Sequence, residues 1–245
     1  MKDNSVAIFI PARLNSSRFP KKVLHMIDEK PLIIHVLERA KSIGLCECYV
    51  ACCSNELKDV VEQHDGKAIL TDPNLPSGTD RVFAAVETLK NKPEYIINLQ
   101  GDTPVFEPKI LTEIFNVLKN DPEIDMTTPV TLSSNTEDFH NRNVVKVVFN
   151  NMEKVKPGKA LYFSRSHIPH GSTQIYTHMG MYAYRYNAMK KFVNLEQTYL
   201  EKTESLEQLR AIQNNMNVYA VPVDGNAIAV DVPSDVEVVK KYLHG

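Results

Sequence analysis

Val6-Ala-Ile-Phe-Ile-Pro-Ala-Arg-Leu-Asn-Ser-Ser-Arg-Phe-Pro-Lys-Lys22 joins a continuous apolar run to a basic loop. An apolar run without alternation, here over residues 6–10, is what a strand buried on both faces of a parallel sheet requires. The loop behind it gathers Arg13, Arg18, Lys21 and Lys22, with Ser16 and Ser17, at that strand's carboxyl end. It contains no glycine, so it is neither a Walker A loop nor a G-x-G-x-x-G turn. Open α/β sheets bind ligands outside the carboxyl ends of their strands, and guanidinium groups suit phosphate oxygens. The loop is therefore a phosphate-binding candidate, with an ordinary solvated basic loop as the alternative.

Outward from this stretch, Leu32, Ile33, Val36, Leu37 and Ala40 recur at helical spacing before Gly44. A strand is expected through the cysteine-rich segment, then a helix at 55–64, a strand at 68–70, a helix at 79–89 and a strand at 95–99. Such alternation implies βαβ units and a doubly wound, mostly parallel sheet. Beyond about residue 140 strands predominate, at 144–149, 160–164, 175–184, 218–221 and 227–231, with helices at 187–193, 204–214 and 233–243. The expected architecture is one α/β domain over residues 1–245, with a β-rich insertion at about 150–185.

Composition excludes several function classes. Lys plus Arg is 28 against 30 for Asp plus Glu, so the basic excess of non-specific nucleic-acid binding is missing. The apolar runs fall far short of the roughly 20 residues of a membrane helix, and Met1-Lys2-Asp3-Asn4 opens on no signal-peptide pattern. A cytosolic protein without nucleic-acid partner or membrane insertion is expected. Cys46, Cys48, Cys52 and Cys53 lack the C-x2-C spacing of zinc modules. Alternation puts Cys46, Cys48 and Cys52 on one strand face and turns Cys53 away, so they read as reduced strand residues.

Three further places carry chemistry. Leu99-Gln-Gly-Asp102 ends an apolar strand in a glycine, which permits close approach of backbone to a ligand, and a carboxylate suited to Mg²⁺. Asp231 follows the apolar residues 227–230 in the same way. Two strand-end carboxylates at one sheet edge would serve a metal–nucleotide site, while Asp231 as a helix N-cap is the structural alternative. In Ser77-Gly-Thr-Asp-Arg81, Ser77 and Asp80 have capping spacing, and a helix start with small hydroxyl residues can also hold a nucleotide. Both readings stay open.

Pro11-Ala-Arg13, Arg18 with Pro20 and Lys22, Ser77-Gly-Thr-Asp-Arg81, Asn98-Leu-Gln-Gly-Asp102, Ala160-Leu-Tyr-Phe-Ser-Arg165, His178-Met-Gly-Met-Tyr182 and Leu206-Glu-Gln-Leu-Arg210 occur in one order along the chain. In these motifs the sequence resembles the 3-deoxy-manno-octulosonate (Kdo) cytidylyltransferases, over essentially its whole length. The resemblance implies a Rossmann-like nucleotidyltransferase that joins CTP to Kdo, releases pyrophosphate and depends on Mg²⁺, as a homodimer serving lipopolysaccharide synthesis. It implies that Arg13 and Lys22 hold the triphosphate, and that Ala12, Ser77, Gly78, Thr79 and Gln100 lie at the nucleotide. Asp102 and Asp231 would bind Mg²⁺. Gln100, Arg165, His178, Tyr182, Glu207 and Gln208 would line the acidic-sugar pocket, with Arg165 matched to the sugar carboxylate.

The sequence departs from this pattern twice. Lys21 stands where the family usually has glycine, and a lysine does not easily take a positive φ, so a different loop backbone or triphosphate pose is expected. Thr103 stands where glutamate is usual, and the stretch 170–175 is short. The alternatives are a cytidylyltransferase for 8-amino-Kdo or sialic acid, and a non-catalytic nucleotide-sugar-binding protein. The latter would have no use for two metal carboxylates.

Overall fold

A computed structural model describes residues 2–15 and 18–244, so Ser16 and Ser17 of the basic loop lie outside the described residues. The chain divides into two compact units, Met1–Lys109 with Asn226–Gly245, and Ile110–Gly225. The β-rich stretch expected at about 150–185 lies inside the second.

In the first unit, β1 (Val6–Ala12) is buried at all seven positions, as its uninterrupted apolar run requires. A small hairpin of β2 (Met26–Ile27) and β3 (Lys30–Pro31) precedes α1 (Leu32–Ser42), whose buried stripe includes Leu32, Ile33, Val36, Leu37 and Ala40. Then follow β4 (Glu47–Cys52), α2 (Asn55–Gln63), β5 (Lys67–Leu70), α3 (Gly78–Thr88) and β6 (Tyr95–Asn98). The strands β6, β1, β4 and β5 lie side by side in that order, all parallel. The chain steps from β1 to β4 and β5, then returns to the far edge of β1 as β6. Connections thus leave β1 in opposite directions, and the crevice at the carboxyl ends of β1 and β6 is the topological switch point of this sheet. All four cysteines are free; Cys46, Cys48 and Cys52 are buried and Cys53 is half-buried.

Helix α4 (Lys109–Asn120) leads into the second unit, which contains β7 (Met126–Ser133), α5 (Thr136–His140), β8 (Lys146–Phe149), β9 (Gly158–Ser164), β10 (Ile175–His178), β11 (Tyr182–Arg185), α6 (Tyr186–Val193), α7 (Tyr199–Glu204), α8 (Gln208–Gln213) and β12 (Val218–Pro222). Strand β7 is its hub, parallel to β12 and antiparallel to β10 and β11. Because β10 also pairs β8, β8 pairs β9 and β9 pairs β12, five strands close on themselves.

Several expectations change here. The strand expected at 175–184 is two strands, interrupted at Met179–Met181, where the Met179 N–H donates to the Pro129 carbonyl at 3.1 Å. A strand residue points its nitrogen and carbonyl to the same edge, so Pro129 faces this interruption with the edge on which it has no N–H to offer. The helix expected at 204–214 is α7 and α8, separated where Ser205 turns left-handed at φ 54°. Helix α4 and strand β7 were not anticipated. Residues 227–231 form no regular strand, only a bridge between Ile228 and Val105. Helix α9 (Asp235–His244) completes the first unit.

Candidate active site

A cavity of about 870 Å³ opens at the switch point of the first unit. Its wall carries Arg13, Arg18, Lys21, Lys22 and Arg81 against the carboxylates of Asp102 and Asp231. Ala12, Gly78 and Gln100 also line it. A basic excess around two carboxylates suits a polyanion that brings a divalent cation with it.

The basic loop is closed by the Lys21 N–H donating to the Leu14 carbonyl at 3.0 Å, and Lys22 begins a single 3-10 turn. Lys21 adopts φ 54° and ψ 26°. The expectation that a lysine here would force a different loop backbone is corrected: the left-handed turn is made anyway. The Lys21 Nζ binds both carboxylate oxygens of Glu56 in the first turn of α2, at 2.8 and 3.0 Å. Gly101 has a role other than admitting a ligand. A Cβ there would stand 2.6 Å from the Pro11 carbonyl oxygen, so the glycine lets the chain beyond β6 lie against the end of β1.

Two backbone hydrogen bonds bring the carboxylates together. Ile228 N–H donates to Val105 O at 2.9 Å and Val230 N–H to Asp102 O at 2.8 Å, which sets Asp231 beside Asp102. The Lys22 ammonium then reaches Asp102 Oδ2 at 2.6 Å, Asp231 Oδ1 at 3.3 Å and the Val230 carbonyl at 2.9 Å, while Arg18 meets Asp231 at 3.1 Å. Asp231 is not the cap of α9. Asp235 accepts the N–H groups of Asp231 and Val232, at 2.7 and 2.9 Å. Underneath, Ile27, Leu32, Val105, Val230, Val236 and Val239 form an apolar cluster against which Phe19 of the basic loop packs.

In the segment Ser77–Arg81 the capping spacing is used. The Ser77 hydroxyl accepts the Asp80 N–H at 3.1 Å and donates to the Asp80 carboxylate at 2.6 Å, capping α3. Thr79 is buried, its hydroxyl accepting from Asn98 at 3.2 Å. Neither lines the cavity; Gly78 and Arg81 do. Arg81, expected only as the last residue of its motif, is 2% exposed, and its guanidinium donates to Thr71 Oγ1 and the carbonyls of Asp72 and Pro73. Burial, and then the nearby Arg13 charge, hold its pKa below the ordinary value.

The remaining expected sugar residues belong to the second unit. Arg165 follows β9 and donates to the carbonyls of Glu204 (2.9 Å), Arg142 (2.8 Å) and Ser205 (3.3 Å), so its guanidinium is engaged by backbone. His178 ends β10 and Tyr182 begins β11, with ring centroids 5.5 Å apart. Burial depresses the His178 pKa to about 3 and raises that of Tyr182, the latter with help from the Glu207 charge. Gln208 opens α8, 4% exposed, and its Nε2 finds no hydrogen-bond partner among the described residues.

A family model for cytidylyltransferases matches residues 7–218. The 3-deoxy-manno-octulosonate cytidylyltransferase of Paramagnetospirillum magneticum is 41% identical over 245 residues, covering 99% of each chain. That of Rickettsia prowazekii is also 41% identical, over 99% of this chain and 96% of its own. The chain belongs to the 3-deoxy-manno-octulosonate cytidylyltransferase family. Among solved structures, CMP:2-keto-3-deoxy-manno-octonic acid synthetase complexed with CTP superposes with a TM-score of 0.89, at 34% identity and 98% coverage of both chains. The 4-diphosphocytidyl-2C-methyl-D-erythritol synthase of Anaerococcus prevotii, at 12% identity and TM-score 0.64, shares the fold. Within the 3-deoxy-manno-octulosonate cytidylyltransferase family, then, this chain makes the first-loop turn with Lys21 and keeps Thr103 buried beside Asp102, its N–H on the Gln100 carbonyl at 3.3 Å.

Proposed function

We propose that the protein transfers CMP from CTP to Kdo, giving CMP-Kdo and pyrophosphate, and so activates Kdo for lipopolysaccharide assembly. The observation that carries this reading is the cavity at the ends of β1 and β6, whose wall holds five basic residues with Asp102 and Asp231, Lys22 and Arg18 in direct contact with the carboxylates, in a chain of this family.

The reading includes Mg²⁺. The donor set fits it: two carboxylates already converge on one cationic group, the Lys22 ammonium. Mg²⁺ takes one or two protein carboxylates and completes its shell with phosphate and water. Asp102 and Asp231 would hold the ion, which when bound neutralises phosphate charge and lowers the pKa of the attacking hydroxyl.

The chain's own groups do the rest by position and charge, as nucleotidyl transfer requires. Arg13, exposed on the cavity wall, meets the distal phosphates. Lys22, tethered by the Val230 carbonyl, balances charge as pyrophosphate leaves. Gly78 at the start of α3 admits the nucleotide close to backbone. No side-chain nucleophile is needed, because the anomeric hydroxyl of the sugar attacks the α-phosphorus in line.

The homodimer, the cytosolic location and the sugar-binding roles of Gln100, His178, Tyr182, Glu207 and Gln208 belong to the same proposal; for Arg165, whose guanidinium donates to three carbonyls, the sugar carboxylate and the backbone are rival partners that Arg165→Lys decides. No helix among the described residues is long and apolar enough to cross a membrane. The test is pyrophosphate release with CTP and Mg²⁺ across Kdo, 8-amino-Kdo and sialic acid. Turnover is expected with Kdo in preference to the others; a preference for another acidic sugar, or CTP binding without turnover, overturns it.

A further inference from the structure

We infer that Thr128 fixes the tautomer of His178 and so makes its Nδ1 a hydrogen-bond acceptor for a hydroxyl group of the sugar; the sugar clause rests on the functional reading above. Thr128 lies on β7 and is fully buried. Its Oγ1 is 2.8 Å from His178 Nε2, 2.7 Å from the Met181 carbonyl and 3.3 Å from the Met179 carbonyl. A hydroxyl has one hydrogen, and carbonyl oxygens only accept. The Thr128 hydrogen therefore goes to Met181, and the hydrogen between Thr128 and His178 belongs to the imidazole. A neutral ring protonated on Nε2 carries its lone pair on Nδ1.

The surroundings keep the ring neutral. His178 stands edge-on to Phe163 with centroids 5.1 Å apart and beside Tyr182, and no carboxylate is hydrogen-bonded to it. Burial accordingly pushes its pKa to about 3. Nδ1 has no hydrogen-bond partner among the described residues. A neutral lone pair accepts from O–H and repels carboxylate and phosphate oxygens, so His178 selects a sugar hydroxyl and leaves the sugar carboxylate to a cationic or N–H donor. Thr128 acts through His178 and is a positioning residue.

The experiment combines ring ¹⁵N–¹H NMR of histidine-labelled protein with kinetics on wild type, Thr128→Val, Thr128→Ser and His178→Ala. The expected wild-type signal at neutral pH is a single Nε2–H tautomer. Thr128→Val should mix the tautomers and raise KM for Kdo roughly tenfold with CTP parameters within about twofold, the scale of one misplaced hydrogen bond, and Thr128→Ser should restore both. An Nδ1–H tautomer or an imidazolium in wild type, or an unchanged ring in Thr128→Val, overturns the inference. A shifted tautomer with unchanged Kdo kinetics overturns the sugar clause. His178→Ala then separates the two failures: if it impairs Kdo use, His178 touches sugar but not through Nδ1, and if it does not, the functional reading of His178 is wrong.

Discussion

Lys22 Nζ stands 2.6 Å from Asp102 Oδ2 and 3.3 Å from Asp231 Oδ1, so a single ammonium bridges both carboxylates of the site. Its side chain is 11% exposed, which makes this pair costlier to break than a surface contact. In Lys22→Met the two carboxylates face one another without that charge. The variant is expected to lose about 1–2 kcal/mol of stability without divalent ions, and to gain more from Mg²⁺ than wild type does. Thermal unfolding with and without Mg²⁺ checks this. An equal Mg²⁺ response in both proteins removes the metal from these two residues.

Asp102→Asn keeps the shape of the side chain and removes its charge. Folding should survive, since the backbone bond from Val230 remains. Turnover should fall about 10²-fold or more, the scale of losing one preorganised electrostatic contact. A near-normal kcat at saturating Mg²⁺ rejects the assignment.

At Lys21 the ordinary ranking of small residues should invert. Both Lys21→Ala and Lys21→Gly lose the exposed contact to Glu56, but only glycine takes φ 54° without a steric penalty. Lys21→Gly should be the more stable of the two by about 1 kcal/mol, measured by urea unfolding. An alanine variant at least as stable as glycine contradicts the left-handed turn.

Arg165→Lys discriminates between two roles. Three carbonyls accept from the guanidinium, and an ammonium cannot reproduce a planar fork. The geometry predicts a stability loss of about 1–2 kcal/mol, with kcat/KM for CTP and Kdo affected alike. A Kdo-specific loss of about 10- to 150-fold with unchanged Tm restores the pairing with the sugar carboxylate.

Cys53 should be the thiol that reagents find first. Burial pushes the thiols of Cys46 and Cys52 up to about 12 and of Cys48 to about 11, so they stay protonated and covered at pH 8. Cys53 is half-buried, and its sulfur accepts the Leu14 N–H of the basic loop at 3.4 Å. Alkylation followed by mass spectrometry should mark Cys53 first, and CTP should slow it. Uniform labelling contradicts the burial.

The first unit was legible because β1 and β6 are apolar runs and α1 shows a clean 3.6 period; Asp102 stands just beyond β6 as expected, whereas the apolar run before Asp231 forms no strand. Strand β7 was not, because Thr127, Thr128, Pro129 and Thr131 read as polar and broken. It is buried because its hydroxyls find carbonyls: Thr127 donates to Ile114 at 2.9 Å and Thr128 to Met181 at 2.7 Å. Those partners lie far along the chain, beyond any local pattern. The same limit hid the carbonyls that engage Arg165, whereas the acceptors of Arg81 lie close by, in the loop before its helix. Residues 227–231 were apolar enough for a strand, yet only two hydrogen bonds to residues 102–105 use them.

The first unit is discontinuous, and that gives the site a history during synthesis. A ribosome delivers residues 1–109 and then the whole second unit before Val230, Asp231, Val236 and Val239 exist. Until then the apolar cluster under Phe19 is half built, and Lys22 has one carboxylate to meet in place of two. An unfinished chain therefore displays the basic loop without the acid pair, and competence arrives with the closing helix.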